Sequence, residues 1–440
     1  MDASQPLLPP TSSAPPQYST VDAPPRPLPA RPCRCSCCRT FILVFMLVTA
    51  LLVVLAAVWP TPPTLADQIS EAIPAALRTQ SCLSGSTSTI KTYTFALPLY
   101  PETTVVMSRY RLRPYSRNEE LLGGNIRITT SANLPLHTAY VIVTPSSLGH
   151  ATVCSLVPKV DNGTSISSFG VFATGPNGAS SPNLNITLIL PASTAIQGLQ
   201  TTLPNFAYDV DDLVGAGVSI RVALITGGEK AITVQSISGQ DRLLLLTWNA
   251  GVSVNFARSP VLDVSTGASL SPSSPRTNAS ISGTYVGTWV RLITSNSPID
   301  AHVQLLGSSG TVDAYTANAS LALSILPPQQ EEKSDKAMKL RLRAATADAA
   351  ATVRLPPAYE GTFRLSGESV RVQEPRGDGD ARKLEYYYDG PLLGVNADEG
   401  EANTDAEGRV LSGAVYLTDE GIERGWVSVT STGGGVRLIL

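Results

Sequence analysis

The sequence has few aromatic residues, few charges and almost no histidine. Phe, Trp and Tyr make up 6% of the 440 residues, Asp, Glu, Lys and Arg together make up 15%, and there are 3 His. A net charge of -3 gives no support to a nucleic-acid-binding protein, so we predict no nucleic-acid partner. The patterns GxSxG, HExxH, GxGxxG and the phosphate loop are absent, which removes the usual anchors of hydrolases, metalloproteases and nucleotide-binding sites. The sequence therefore predicts a protein that is not an enzyme and that needs no metal or cofactor.

One stretch, Phe41–Trp59, lacks charge altogether. A helix of these 19 residues spans roughly 28 Å, which is close to the thickness of the hydrocarbon core of a membrane. We therefore predict that it crosses the membrane once. The arginines that precede it are Arg26, Arg31, Arg34 and Arg39, and the first charges that follow it are Asp67, Glu71 and Arg78. The positive-inside rule then predicts a cytosolic N-terminus and a type II protein of the cell surface or secretory pathway. A cleaved signal peptide is the alternative, but its apolar region would be shorter and would not follow a 40-residue leader.

Residues 1–40 are rich in Pro, Ser and Ala and show no apolar periodicity, so we predict a disordered cytosolic tail. Within this tail Pro15, Pro16 and Tyr18 form a PPxY pattern, which resembles the ligands of WW domains, including those of HECT-type ubiquitin ligases. The segment 26–32 also fits RxxPxxP, a pattern that Src-homology-3 domains bind. The predicted partners of this part are therefore membrane lipid and a WW-domain protein.

The six cysteines form two groups. Cys33, Cys35, Cys37 and Cys38 lie directly before the predicted span. We expect S-acylation there, with inert reduced thiols or zinc binding as alternatives; four cysteines within six residues cannot easily surround one tetrahedral ion. Cys82 and Cys154 follow the span and would face an oxidising compartment, which predicts a disulfide bond, with two buried free thiols as the alternative.

After a predicted stalk at residues 60–81, the sequence alternates apolar β-branched residues with polar ones. The predicted strands are Thr103–Arg113, Asn125–Thr129, Thr138–Thr144, Leu184–Leu190, Val218–Leu224 and Trp289–Thr294. Few stretches could form a long helix. We therefore predict an all-β ectodomain, divided into a β-rich part at 82–328 and a β-repeat part at 329–440 with acidic loops.

An internal repeat supports this prediction. Strand pairs at Val290–Leu305 recur fifty residues later at Leu340–Leu355, loosely at Ile126–Val143 and in shortened form at Val427–Leu440. Helix propensity opposes strands in Lys336–Ala351, but the repeat favours strand, turn and strand there, and tertiary context overrides propensity. One strand pair cannot bury its apolar face alone, so the pairs must stack into a β-solenoid, a β-roll or a sandwich.

Three segments, TSNSPIDAHVQL at Thr294–Leu305, TVRLPPAYEGTFRLSG at Thr352–Gly367 and GWVSVTSTGGGVRLIL at the C-terminal end, resemble the repeats of a fungal family of uncharacterised single-pass membrane proteins. They are more distantly similar to adhesin-like β-roll domains of microbes. The resemblance covers about the last third of the chain well. It implies a fold and a topology, and it brings no catalytic motif and no established activity. From the strand repeats and the sequons we predict an ectodomain that contacts a glycan, another protein or itself.

Four sequons follow the predicted span, at Asn162, Asn185, Asn278 and Asn318. Their placement agrees with a lumenal or extracellular ectodomain, and we expect at least two of them to carry glycans.

Two acidic patterns point to other chemistry. Asp209 and Asp211 form a DxD triplet, which resembles the metal and sugar-nucleotide site of type II membrane glycosyltransferases. The glycosyltransferase fold needs helices that alternate with its strands, and the sequence around the triplet predicts none. A glycosyltransferase-like enzyme that uses Asp209 and Asp211 is therefore kept only as the alternative function. Asn403–Gly408 resembles half of a calcium loop, but the twelfth position is Ala414 instead of a bidentate Glu, and a solvated loop is the simpler interpretation. The three histidines, His137, His150 and His302, form no recognisable motif.

Overall fold

Buried and exposed residues alternate along most strands, as the strand from Ile299 to Leu305 shows. Its apolar residues at positions 299, 301, 303 and 305 are buried, and Asp300 and His302 are exposed. Successive side chains of a strand point to opposite faces, so this sequence covers a core on one side and faces solvent on the other.

The structure is a computed structural model that describes residues 77–84, 92–111, 122–145, 151–158, 166–173, 183–267, 279–328, 338–373, 382–387, 409–417 and 419–440. All of them belong to one compact unit, Ile73–Leu440. The predicted tail and the predicted span Phe41–Trp59 lie outside this set. No helix among the described residues has the length and apolar character that a membrane span requires.

The described residues form 27 strands and one short helix. The N-terminal strands are β1 (Leu77–Ser84), β2 (Tyr93–Pro98), β3 (Thr104–Arg111), β4 (Gly123–Ser131), β5 (Thr138–Pro145), β6 (Ala151–Pro158), β7 (Ile166–Ala173), β8 (Asn183–Pro191), β9 (Ala195–Thr202) and β10 (Phe206–Asp212). The central strands are β11 (Ser219–Gly228), β12 (Ile232–Thr247), β13 (Val252–Arg258), β14 (Val261–Ser265), β15 (Ile281–Gly287), β16 (Trp289–Ile293), β17 (Ile299–Leu305), β18 (Ser309–Thr316), β19 (Leu321–Leu326), β20 (Lys339–Thr346) and β21 (Ala351–Arg354). The C-terminal elements are β22 (Gly361–Gly367), β23 (Val370–Gln373), β24 (Lys383–Tyr387), β25 (Arg409–Tyr416), a 3-10 helix (Asp419–Glu423), β26 (Trp426–Ser431) and β27 (Val436–Ile439).

These strands form two sheets, which the long strand β12 joins. Sheet A has the spatial order β1-β6-β7-β3-β9-β11-β12-β14-β16-β18-β20-β26-β22-β25-β24. Sheet B has the order β2-β5-β8-β4-β10-β12-β13-β15-β17-β19-β21-β27-β23.

From β10 to β21 the chain alternates between the two sheets, and every neighbouring pair of strands there is parallel. Each coil therefore consists of one strand in sheet B and one in sheet A, stacked about 4.8 Å from the next coil. This arrangement is a two-sheet β-solenoid. The core lies between the sheets, where inward residues of successive coils form continuous apolar rows. One such row in sheet B is Ile232, Val252, Ile281, Ile299, Leu321, Ala351 and Val436.

Both ends of the solenoid depart from this simple stacking. The coil β3-β4 lies between β7-β8 and β9-β10, and the coil β26-β27 lies between β20-β21 and β22-β23. Antiparallel strands follow at each end, β5, β6, β1 and β2 at one and β25 and β24 at the other. A change of strand direction at the ends is one way to limit further stacking, as terminal caps do in repeat proteins.

A column of buried hydroxyls connects the coils at one corner, where strands of sheet A end. Thr316 donates a hydrogen bond to the carbonyl of Ser297 at 3.1 Å, Thr346 to Ala319 at 3.0 Å and Ser431 to Ala349 at 2.8 Å. Each acceptor lies in the turn of the preceding coil. The column thereby satisfies buried polar groups and fixes one coil against the next.

The structure confirms the all-β prediction and the strands in Lys336–Ala351, which are β20 and β21. The two copies of the fifty-residue repeat are not adjacent coils, as the repeat predicted. They are two coils apart, because β18 lies between β16 and β20. Val290 is paired with Val312, and Val312 with Leu342, two residues beyond the predicted equivalent Leu340. The loose copy at Ile126–Val143 is also not a coil, since its halves, β4 and β5, both lie in sheet B and β5 is antiparallel.

The strand order also connects the two predicted parts of the ectodomain. β18 pairs with β20, and β19 pairs with β21, so both sheets continue through the proposed boundary at residue 329.

Glycines 283 and 307 provide a test of the stacking. Gly283 has φ 130°, and a Cβ there would lie 1.7 Å from the carbonyl oxygen of Val254 in the neighbouring coil. Gly307 has φ 93° with nothing within 4 Å of such a Cβ. We expect Gly307→Ala to lower the free energy of unfolding by about 1–2 kcal/mol, the cost of the backbone conformation alone. Gly283→Ala should cost more than about 3 kcal/mol, because the coils must also separate. Denaturant unfolding would measure both, and equal losses would contradict the close approach.

Candidate ligand-binding face

The outer side chains of sheet A form straight rows across the coils because the strands pair in register. The first row runs through Arg242, Val261, Trp289, Thr311, Arg341, Trp426 and Thr362. The second runs through Leu244, Asp263, Arg291, Asp313, Arg343, Ser428 and Arg364. The third runs through Leu246, Ser265, Ile293, Tyr315, Ala345, Thr430 and Ser366. We call this surface the outer face of sheet A.

Acidic and basic residues alternate in the middle of the second row. Arg291 Nη1 lies 3.6 Å from Asp263 Oδ2 in the adjacent coil. One coil further, Tyr315 donates a hydrogen bond to Asp313 at 3.4 Å, and Arg343 contacts the same tyrosine hydroxyl. Cross-strand pairs of opposite charge stabilise a sheet modestly, so these contacts hold side chains in place more than they stabilise the fold.

The pKa values in this row follow from burial. Burial raises the pKa of the Asp263 carboxyl, and the nearby Arg291 and Arg242 offset only part of that effect. Burial, followed by the charge of Asp313, raises the pKa of the Tyr315 hydroxyl. The Asp263 carboxyl is therefore poorly hydrated, whereas Tyr315 is only partly buried.

Two tryptophans occupy the first row, three coil steps or roughly 14 Å apart. Trp289 is half-buried, whereas Trp426 is 37% exposed and lies among exposed basic residues. The guanidinium carbon of Arg343 lies 5.7 Å from the centre of the Trp426 ring, within the range of a cation-π contact. Tryptophan is enriched at binding interfaces, because its ring is large and apolar and its N–H group can still donate a hydrogen bond.

A small cleft lies near the N-terminal end of the solenoid. Tyr100 and His137 stack with ring centres 6.3 Å apart, and with Leu136 and Ala195 they line a cleft of about 140 Å³. Tyr100 and Leu136 are more than half exposed. The cleft is too small for more than a fragment of a ligand.

The predicted DxD carboxylates lie on the outer face of sheet B, on β10. Asp211 forms an ion pair with Arg127 at 3.0 Å, and Asp209 is exposed beside Arg127 on the neighbouring strand β4. Within the described part of the chain no group of three or more His, Cys, Asp or Glu side chains could hold a metal ion. Asp211 thus has a basic partner from this chain, and no strand near it is followed by a described helix.

Asn185 and Asn318 are the predicted glycosylation sites that the structure describes, and both are exposed. Asn185 lies on the outer face of sheet B, and its Oδ1 accepts a hydrogen bond from Asn125. Asn318 lies in a corner turn, and its Nδ2 donates to Asn296 Oδ1 at 2.6 Å. The amide nitrogen that would carry a glycan is therefore engaged at Asn318.

The remaining predicted residues divide between described and undescribed segments. β1 and β6 pair so that the Cα atoms of Cys82 and Cys154 lie opposite each other, and Cys154 forms a disulfide bond. This is the arrangement that the predicted bridge requires. The PPxY residues, the four juxtamembrane cysteines, Asn162, Asn278, His150 and the acidic segment 403–408 lie outside the described residues.

The outer face of sheet A is not among the sites that the sequence predicts. The sequence does contain a sign of this face. Trp289-Val290 and Trp426-Val427 each begin a strand with an outward tryptophan and an inward valine. Only the strand order shows that these strands share one face.

No protein-family model matches the chain, and no curated protein matches it. A search of solved structures finds a protein of Clostridium sporogenes described as a "putative cell adhesion protein", with a TM-score of 0.15 and 8% sequence identity. The match covers 79% of this chain and 99% of that one. At this TM-score the likeness carries no argument about fold or function, and the resemblance to the fungal family stays a prediction.

The raised pKa of Asp263 predicts a pH-dependent stability. A carboxyl with a raised pKa in the folded state contributes stability that is present below its ordinary pKa near 3.8 and lost as the pH rises through the raised value. We therefore compare the free energy of unfolding of the natural protein with that of Asp263→Asn. The difference, natural protein minus variant, should fall as the pH rises from 3 to 7. Arg291→Gln should enlarge this fall, because it removes a cation that offsets burial. Denaturant midpoints at both pH values would test this, and a difference that rises with pH would contradict it.

Proposed function

We propose that this chain is a non-enzymatic, single-pass membrane glycoprotein whose β-solenoid binds a glycan or protein ligand through the outer face of sheet A. Its N-terminal tail would lie in the cytosol and its solenoid outside the cell or in the secretory pathway. The proposal joins the uncharged stretch Phe41–Trp59 and the sequons with the surface of the described solenoid.

The observation that carries the binding role is the pair of outward tryptophans on a flat, in-register sheet. Trp289 and Trp426 lie in one row with Thr311 and Arg341 between them. Tryptophan is among the residues that contribute most to binding energy, because its large ring is desolvated at little cost in conformational entropy.

The outer face of sheet B is a weaker candidate. Its central rows hold small hydroxyl side chains, such as Thr233, Ser253 and Ser282. A glycan on Asn185 would also cover part of this face. Sheet A would then remain open to a ligand.

The tail would have a separate role. Pro15, Pro16 and Tyr18 would recruit a WW-domain protein, such as a ubiquitin ligase that controls trafficking, and acyl chains on Cys33, Cys35, Cys37 and Cys38 would add a second attachment to membrane lipid. This arrangement separates ligand binding from cytosolic regulation.

The topology predicts opposite accessibility of the two ends. For chains at the surface of intact cells, an epitope placed at residue 1 should be protected from external protease, and an epitope after Leu440 should be cleaved. Detergent should expose both. Cleavage of the N-terminal epitope in sealed cells would contradict the orientation.

The binding face predicts that both tryptophans contribute to adhesion. Cells that display the full chain should be retained on a surface coated with wall polysaccharide of the same cell type. Trp289→Ala with Trp426→Ala should weaken the binding constant by about tenfold or more, since buried tryptophan contacts often contribute over 2 kcal/mol.

Trp248→Ala is the matched control, because Trp248 is 46% exposed but lies in a turn outside the rows of sheet A. This variant should bind normally. Circular dichroism and the thermal midpoint would confirm that all variants fold. Equal retention of folded variants and natural protein would overturn the proposed face.

A further inference from the structure

Exposed basic residues surround Trp426 on the outer face of sheet A. Arg341 and Arg343 lie on β20 at one side of β26, and Arg364 lies on β22 at the other side. The strands β20 and β22 are two strand spacings apart, or roughly 10 Å. Lys339 extends the group along β20. We call Arg341, Arg343, Arg364 and Trp426 the basic patch.

Among the described residues, neither Arg341 nor Arg364 has an ion-pair partner. Arg341 lies between Thr311 and Trp426, and Arg364 lies between Ser428 and Ser412. Arg291 differs, because it pairs with Asp263. Asp313 is the in-register neighbour of Arg343. On the other side, Glu385 of β24 accepts hydrogen bonds from Tyr387 and Tyr416.

The patch is flat and rich in hydroxyl groups. Thr362 is the neighbour of Trp426, and Ser428 lies between Arg343 and Arg364. β26 is paired on both sides, by β20 and β22, so it offers no free strand edge to which a peptide could add. Hydroxyl donors, an indole ring and separated guanidinium groups suit a flat polymer with hydroxyls and repeated negative charges.

We infer that the basic patch binds an acidic polysaccharide, in which carboxylate or sulfate groups contact Arg341 and Arg364 while a sugar ring lies against Trp426. This inference rests on the proposed function and names the chemistry of its ligand. Arg343, held by its contact with Trp426, keeps the ring oriented and adds positive charge.

Binding of the purified full chain to three immobilised polymers tests the inference: polygalacturonate, which carries carboxylates, heparin, which carries sulfates, and neutral dextran. We expect tight binding to at least one acidic polymer and a dissociation constant at least about tenfold higher for dextran. Arg341→Gln with Arg364→Gln should weaken the acidic interaction by about tenfold per arginine, because each change removes a charged hydrogen-bond partner. Raised salt should weaken it further. The acidic polymer with the lower dissociation constant shows whether the patch prefers carboxylate or sulfate groups.

Arg258→Gln with Arg354→Gln is the matched control. It removes the same charge from two exposed arginines on the outer face of sheet B. Equal losses in both double variants would overturn the inference, since net charge alone would then explain binding. Binding of poly-glutamate as tight as that of either acidic polysaccharide would also overturn it.

The outcomes separate this inference from the proposed function. If the tryptophan variants lose adhesion while the Arg341 and Arg364 variant binds both acidic polymers normally, the inference fails and the proposed face stands. If the folded tryptophan variants keep full adhesion, the proposed face fails.

Discussion

In-register stacking of parallel strands is the constraint on which the rest of this structure depends. Each coil buries its apolar residues only against the coils beside it, so a row such as Ile281, Ile299 and Leu321 stabilises the fold as a whole. Backbone hydrogen bonds within each sheet and the hydroxyl column at the corner keep the coils in one register. Gly283 shows how closely they approach.

The same constraint builds the outer surface. Side chains alternate between faces, and a shift of one residue in β16 or β26 would turn Trp289 or Trp426 into the core. The register of the strands therefore determines the buried apolar rows and the rows of the outer face of sheet A at the same time. A binding face of this kind needs no loop to position it, and its chemistry changes along the solenoid, from Leu244 near the middle to Arg364 near the end.

The sequence predicted where the strands lie better than it predicted which strands pair with one another. Alternation identified β4 and β8, and the repeat correctly assigned strands to Lys336–Ala351 against its helix propensity. The coil β18-β19 was missed, although its turn Thr316–Ala319 resembles Thr294–Ser297. Periodicity indicates which face a residue occupies but not which strand lies beside it. For that reason neither the inserted coils nor the basic patch, whose residues come from β20, β22 and β26, could be read from the sequence.

The inserted coil β26-β27 constrains the order in which the chain can acquire its structure. The ribosome makes β22 and β23 before β26 and β27, yet both earlier strands pair with the later ones in the finished stack. Coils β10 to β21 can add one after another as they emerge, whereas β22 and β23 have no parallel partner until β26 and β27 appear. The parallel stacking at the end of the solenoid that carries the basic patch therefore cannot be completed before β26 and β27 are translated.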